Sequence, residues 1–317
     1  MKKSKHEPVL LKESVENLKI SNGIYVDCTL GGGGHTKEIV KNLKGKKNKL
    51  ISFDVDSNAI KIFEKYLREN EWIEDKGKFR KKEIEIIIIN GNFDNLKKNL
   101  KKLKVNKIDG LIADLGLSTD QIESDRGFSY VKDSQLDMRM DKSLNVKAKD
   151  LVNGLYEKEL ERLFRSQDEK YARRIAKEIV ESRKQKSIDT TLHLVKIIQK
   201  ALPFKYKGRV SNKTIVGSYW RKPVQRVFQA LRIAVNSELS SLRKMLPQAL
   251  EALASGKRMV IISFHSGEDR IVKNFFRDSG KQKKGNIINK KPITPCKREI
   301  MNNPRSSSAK MRVFEKF

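Results

Sequence analysis

The chain predicts an α/β fold built on parallel strands and interrupted by a helical insertion. Three observations carry this. Short apolar runs alternate with helical patterns through the first third. Four consecutive glycines separate the first run from the first helix. Strand signals then fade between about Glu123 and Lys222 and resume near the end.

Taken in order, Ile24–Cys28, Leu50–Phe53, Ile84–Ile89 and Ile108–Ala113 are apolar runs of strand length, continuous enough to be buried on both faces. Between them, Thr36–Leu43, Asn58–Leu67 and Phe93–Leu103 carry apolar residues at i, i+3 and i+4, so the unit is β-α-β-α-β-α-β. In the following segment Asp168 is placed to cap a helix over Glu169–Arg183, and Thr190 or Thr191 opens another that Pro203 ends. After Pro223, Val227, Leu231 and Val235 recur every four residues, and a further helix over Leu239–Leu253 is expected to break at Pro247. Met259–Ser263 is the next strand, Ile271–Phe276 is helical, residues 280–291 form a polar loop, and Met311–Phe314 is a last strand. The expected domains are therefore 1–122 joined with 223–317, and an inserted all-helical unit over 123–222.

Composition narrows the partners. The 317 residues contain 69 Lys and Arg against 39 Asp and Glu, a net charge of +30 that attracts polyanions, nucleic acid first. Because the excess is mostly Lys amid abundant Ile and Asn, it is also what an AT-rich genome would produce, so charge supports nucleic acid without proving it. Two cysteines, Cys28 and Cys296, suit a reducing cytoplasm, and the four histidines lack metal-ligand spacing, so no metal is expected. Lys12 and Glu13 break the N-terminal apolar run, and no stretch is long enough to span a membrane.

The chemistry is concentrated at predicted strand ends. Val26-Asp27-Cys28-Thr29-Leu30-Gly31-Gly32-Gly33-Gly34-His35-Thr36 reads as a ligand-binding turn, because glycine allows positive φ and close backbone approach. A dinucleotide pattern would put Thr36 or Lys37 at its third glycine, which disfavours NAD. Asp54 follows about twenty residues later, at the spacing of a ribose-binding acid. A nucleoside without a pyrophosphate, such as S-adenosylmethionine, fits better. Asp114, ending the fourth strand before Leu115-Gly116-Leu117-Ser118, sits where open α/β sheets bind ligands, and Phe93 is placed to lie against an adenine.

Beyond these, His6-Glu7-Pro8-Val9-Leu10-Leu11, Gly32-Gly33-Gly34-His35, Asp114-Leu115-Gly116-Leu117-Ser118, Arg126-Gly127-Phe128-Ser129, Leu136-Asp137-Met138-Arg139-Met140, Phe228–Asn236, Ser263-Phe264-His265-Ser266 and Asn303-Pro304-Arg305-Ser306 follow one another along the chain. In this order they resemble the landmarks of the RsmH (MraW) family of small-subunit ribosomal RNA cytidine N4-methyltransferases. The resemblance implies a class I, Rossmann-like methyltransferase fold and S-adenosylmethionine contacts at Gly33, Gly34, His35, Asp54, Phe93, Asp114 and Gln121, leaving Gly31 and Gly32 to the bend. Departures are local, at Gly267 and at Cys296-Lys297-Arg298.

Methylating N4 of cytosine requires acceptors for its N–H groups, since the lone pair is delocalised into the ring. Asp114, the carbonyls of its turn, and Asp137 are the candidates. An unpaired or flipped cytosine must be clamped, which nominates Arg126, Arg139, Arg173, Arg174 and the Lys-rich 281–291 segment as phosphate contacts. The expected partner is small-subunit (16S) ribosomal RNA within an assembling subunit in the cytoplasm, with a homodimer left open. The alternatives are a DNA amino-methyltransferase and a non-catalytic RNA-binding ribosome assembly factor. Intact Asp54, Asp114 and Gln121 argue against the second.

Overall fold

The computed structural model describes residues 8–203, 209–211, 214–216 and 220–317, so the His6 and Glu7 landmarks lie outside the described residues. The chain divides into one unit up to Ser118 and from Leu239 onward, and a second over Thr119–Glu238.

The first unit begins with α1 (Leu11–Leu18), β1 (Ile24–Asp27), α2 (Gly34–Asn42), β2 (Asn48–Asp54) and α3 (Ser57–Glu69). Next come β3 (Ile73–Asp75), β4 (Lys78–Lys81), β5 (Ile84–Asn90), α4 (Leu96–Lys102) and β6 (Ile108–Asp114). Each expected strand is present. The β3–β4 hairpin is an addition to them: it is largely exposed, has little apolar alternation, and turns at Lys76-Gly77, both at positive φ. Expected helix Phe93–Leu103 is split, with a 3-10 turn over Phe93–Asn95 before α4.

The second unit holds α5 (Thr119–Glu123), α6 (Ala148–Gly154), α7 (Glu157–Arg165), α8 (Ala172–Gln185), α9 (Thr191–Ala201), the antiparallel pair β7 (Arg209–Ser211) and β8 (Thr214–Val216), and α10 (Arg221–Asn236). It is thus mainly helical with one short hairpin. Thr190 caps α9 as expected, accepting from His193 N. Asp168 does not cap α8. It adopts φ +58°, whereas an N-cap needs extended backbone, and the helix starts only at Ala172. The expected boundary at 222/223 falls within α10. Pro223 sits in that helix's first turn, where a missing N–H costs nothing, and α10 packs on α6, α7 and α9.

The first unit resumes with α11 (Glu238–Ala252), β9 (Leu253–Ser263), α12 (Ser266–Lys281), β10 (Gly285–Ile287), α13 (Lys297–Asn302) and β11 (Lys310–Lys316). Helix α11 runs through Pro247 without the expected break. Pro247 and Arg243, whose carbonyl loses its helical donor, both lie on the exposed face, where water supplies the missing bond.

Nine strands form one sheet in the order β10-β11-β9-β6-β1-β2-β5-β4-β3. Strands β9, β6, β1, β2 and β5 run parallel, and β11 pairs antiparallel with β9. Alternate residues bury opposite faces. Val26, Ile51, Leu111 and Met259 pack with α4, α11 and α12, while Tyr25, Leu50, Ile112 and Val260 join a core with α1 and α3. The chain leaves β1 toward β2 and β5 on one side and later toward β6 and β9 on the other. The reversal point therefore lies between β1 and β6, where such sheets open a crevice at their carboxyl ends.

Candidate active site

Beyond its last strand pair, β1 stays attached to its neighbours. Cys28 N donates to Ile112 O at 2.9 Å and Leu30 N to Phe53 O at 2.8 Å. The chain then turns through Gly31 at φ +48° and Gly33 at φ +73°, closed by Gly33 N to Leu30 O at 2.7 Å. Both predicted contact glycines are also packing necessities. A Cβ at Gly33 would lie 2.3 Å from the Phe63 ring, and one at Gly34 would lie 2.3 Å from Pro8 Cγ. At Gly31 a Cβ would meet only Thr29 O at 3.9 Å, so the loop is open on that side.

Asp54 at the end of β2 shapes the loop. Its Oδ2 accepts from Gly31 N at 2.7 Å and its Oδ1 from Asp56 N at 2.8 Å. Burial raises its carboxyl to about 6 against these two bonds, which favour the ionised form. Phe93 stands half-buried just beyond β5, at the rim of the core. His35, 5% exposed, holds Nδ1 3.7 Å from Asp114 Oδ2.

Asp114 is perturbed further than Asp54. Burial, with the charges of Asp27 and Glu268 nearby, pushes its carboxyl up to about 8. Its Oδ1 is buried without a hydrogen-bond partner among the described residues. An acceptor left in this state is costly unless a ligand completes it. On one side Asp114 is paired with Ile262 of β9, and on the other its N–H donates to Thr29 Oγ1 at 2.7 Å.

Sequence reasoning overlooked Asp27, Thr29 and Glu268. Asp27, 1% exposed, accepts from Thr29 N at 3.0 Å and Thr36 Oγ1 at 2.7 Å, and burial outweighs these bonds to raise its carboxyl. The signal was available, since Asp27 ends an apolar run just as Asp54 and Asp114 do. Glu268, 2% exposed, accepts from Phe264 N at 2.9 Å. His265 Nδ1 accepts from Gly267 N at 3.2 Å and Glu268 N at 3.4 Å, so its proton sits on Nε2, 3.2 Å from Glu268 Oε1. This makes His265 the cap of α12. Next to Asp27, the Cys28 thiol is buried, and burial raises it well above its ordinary value.

The remaining predicted residues lie in the second unit. Gln121 is 8% exposed on α5. Asp137 and Arg139 form a bidentate pair at 2.7 and 2.9 Å, and Arg139 Nη1 also donates to Lys142 O at 2.9 Å and Leu144 O at 2.6 Å. Burial pushes the Asp137 carboxyl up, but its bonds to Arg139 outweigh that and hold it below the usual range. Arg126 Nη1 reaches Met140 O at 3.2 Å with its guanidinium 5.4 Å from the Phe128 ring centre. All three are therefore engaged in folding the 126–144 loops. Asn236 stitches α10 to the same loop, accepting from Met140 N and donating to Met138 O, each at 2.8 Å. Arg173 and Arg174 are exposed on α8.

The first unit thus presents a glycine turn, a loop-shaping acid and a buried carboxyl whose Oδ1 has no hydrogen-bond partner among the described residues, around the crevice between β1 and β6. Two curated relatives named ribosomal RNA small subunit methyltransferase H align with this sequence over nearly its whole length. The protein of Clostridioides difficile (strain 630) is 45% identical over 98% of both chains, and that of Caldicellulosiruptor saccharolyticus is 44% identical over 98% of this chain and 99% of its own. A solved rRNA methylase from Streptococcus thermophilus aligns at 12% identity and a TM-score of 0.43 over 97% of this chain and 93% of that one. The family profile matching residues 3–317 runs through both units, and the chain belongs to the MraW methylase family.

Proposed function

We propose that this protein transfers a methyl group from S-adenosylmethionine to N4 of a cytidine in small-subunit (16S) ribosomal RNA, within an assembling subunit in the cytoplasm. Family membership supports the reaction class. The single structural observation behind the cofactor is the buried Asp114 Oδ1, an acceptor lacking a partner among the described residues at the β1/β6 crevice. Among the described residues no helix is long and apolar enough to cross a membrane.

The residues present fit that cofactor. Asp114 offers its open oxygen to an ammonium group, the Gly31 side of the loop leaves room for close approach, and Asp54 retains lone pairs for ribose hydroxyls after its two backbone bonds. Gly33, Gly34, His35, Phe93 and Gln121 complete the proposed binding set. When bound, S-adenosylmethionine supplies an electrophilic methyl group. A cation beside Asp114 favours its ionised form and displaces the proton that burial retains. With that carboxylate committed, the carbonyls of the 115–118 turn are left to accept from the N4 hydrogens, which lets the nitrogen pyramidalise. Asp137, locked to Arg139, is a loop-former in this scheme, while exposed Arg173 and Arg174 hold phosphate.

Parallel incubation of unmethylated small subunits and of DNA with isotopically labelled cofactor, followed by nucleoside mass spectrometry, tests the reading. Labelled N4-methylcytidine at one site is expected. Label in DNA, or none in either nucleic acid, would overturn it in favour of a DNA amino-methyltransferase or a non-catalytic assembly factor.

A further inference from the structure

Lys281–Lys284, the start of the Lys-rich 281–291 segment, lie far from the glycine loop beside the Gly285–Lys316 pair, whereas residues 288–291 run on along β11 to Met311, level with Ile262 and Asp114. Lys107 immediately precedes β6, Leu253 opens β9, and Lys316 ends antiparallel β11, so all three stand where the parallel strands begin. Asp114 is at the other end of β6, roughly 20 Å away by the rise of a seven-residue strand. A groove of about 660 Å³ opens at this far edge. Its floor is apolar, with Leu250 from α11 and Phe275 from α12, and Lys283, Lys284 and Lys316 stand along it.

The local acids are already engaged. Glu251 binds Lys97 at 2.6 Å, and Asp278 binds Arg277 at 3.2 Å. Lys107 and Lys316 instead converge on one carbonyl, their Nζ atoms 3.0 and 3.1 Å from Glu251 O, with Lys316 also 2.7 Å from Leu253 O. The negative end of the α11 dipole attracts the first cation. The second must then face it across the same oxygen. Burial and the Lys107 charge accordingly lower the Lys316 pKa. Lys283 and Lys284 add two exposed ammonium groups with no carboxylate in ion-pair range among the described residues.

We propose that this groove is a second RNA-contact site, in which the lysines hold phosphodiesters and Phe275 and Leu250 take the face of an unpaired base. The inference rests on the proposed RNA substrate. A phosphate relieves the repulsion between Lys107 and Lys316, while a base uses the apolar floor that a phosphate alone would leave bare. RNA reaching both the groove and the β1/β6 crevice must follow the length of the sheet, so a substrate that fills both is extended or folded, while a short oligonucleotide can occupy the groove alone.

The test is fluorescence anisotropy of a labelled short oligouridine with the full chain, wild type and Lys283→Glu/Lys284→Glu, across a salt series. Affinity is expected to fall about tenfold in the variant, and the slope of log K against log salt to flatten by about 1.4, because two phosphates of a single strand are no longer neutralised. Melting temperature and S-adenosylhomocysteine affinity are expected to stay at wild-type values. Amide exchange near 283–284 and 316 should slow when RNA is added. Unchanged affinity and slope without such protection would overturn the site, as would tighter binding of polyglutamate than of oligouridine, which indicates an acidic protein partner. Normal rRNA methylation with no groove protection refutes this inference alone. Groove protection without rRNA methylation refutes only the proposed reaction.

Discussion

At Gly33 a left-handed backbone coincides with a neighbour that leaves no room for a side chain. Gly33→Ala should therefore cost at least about 2 kcal/mol, from the positive φ and from overpacking against Phe63. Gly31→Ala has only its φ to offend and should cost about half as much, which chemical denaturation of both variants will measure. Asp114 gives a pH prediction. Its folded pKa of about 8 lies above the ordinary 3.8, so the folded state binds the extra proton between those values and stability is lost as pH rises from about 4 to 8. Asp114→Asn cannot lose that proton. In thermal melts without ligand the variant should gain on wild type steadily toward pH 8 and then hold level, while cofactor binding and methyl transfer are abolished. These residues differ in how legible they were. Asp54 and Asp114 announce themselves as acids ending apolar runs. The pairing of Asp137 with Arg139 was not legible, because a linear sequence does not show that a turn folds one onto the other.

Between the tips of β1 and β6, main-chain pairing ends at Cys28, and the Thr29 hydroxyl takes over by accepting the Asp114 N–H. Thr29→Val removes that acceptor and should cost about 1–2 kcal/mol, with weaker S-adenosylhomocysteine binding by calorimetry. Thr29→Ser keeps the oxygen and should restore the affinity. If Val and Ser behave alike, the hydroxyl is not what holds Asp114. Such a bond joins residues 85 apart in sequence, so no local pattern could reveal it. The parallel strands and most helices were legible because buried elements carry continuous apolar runs or a helical stripe. The β3–β4 hairpin was not, since Glu74, Arg80 and their neighbours are exposed and satisfied by ion pairs. Pro247 and Asp168 misled for a related reason. A proline break and an aspartate cap are local preferences that the surrounding packing and backbone conformation can override.

Across the whole chain, the net charge of +30 cannot by itself say where a polyanion binds, because Lys is spread over both units. Exposure and prior engagement discriminate better. Arg173→Glu/Arg174→Glu should weaken RNA binding and flatten its salt dependence with little change in melting temperature, whereas Arg139→Ala should destabilise the inserted unit, as read by its amide exchange. The boundaries of that unit were only partly legible, since α10 continues the same apolar spacing that marks the methyltransferase core. The burial of Cys28 beneath the glycine turn supplies a clock for the central strands. Cys296 is exposed at the start of α13, while Cys28 is enclosed and its thiolate disfavoured, so an alkylating reagent should consume one thiol at once and the second only as fast as β1 separates from its neighbours. Mass spectrometry of timed samples would then read the opening rate of the β1/β6 crevice from a native atom, without any probe attached, and would show whether S-adenosylhomocysteine slows it.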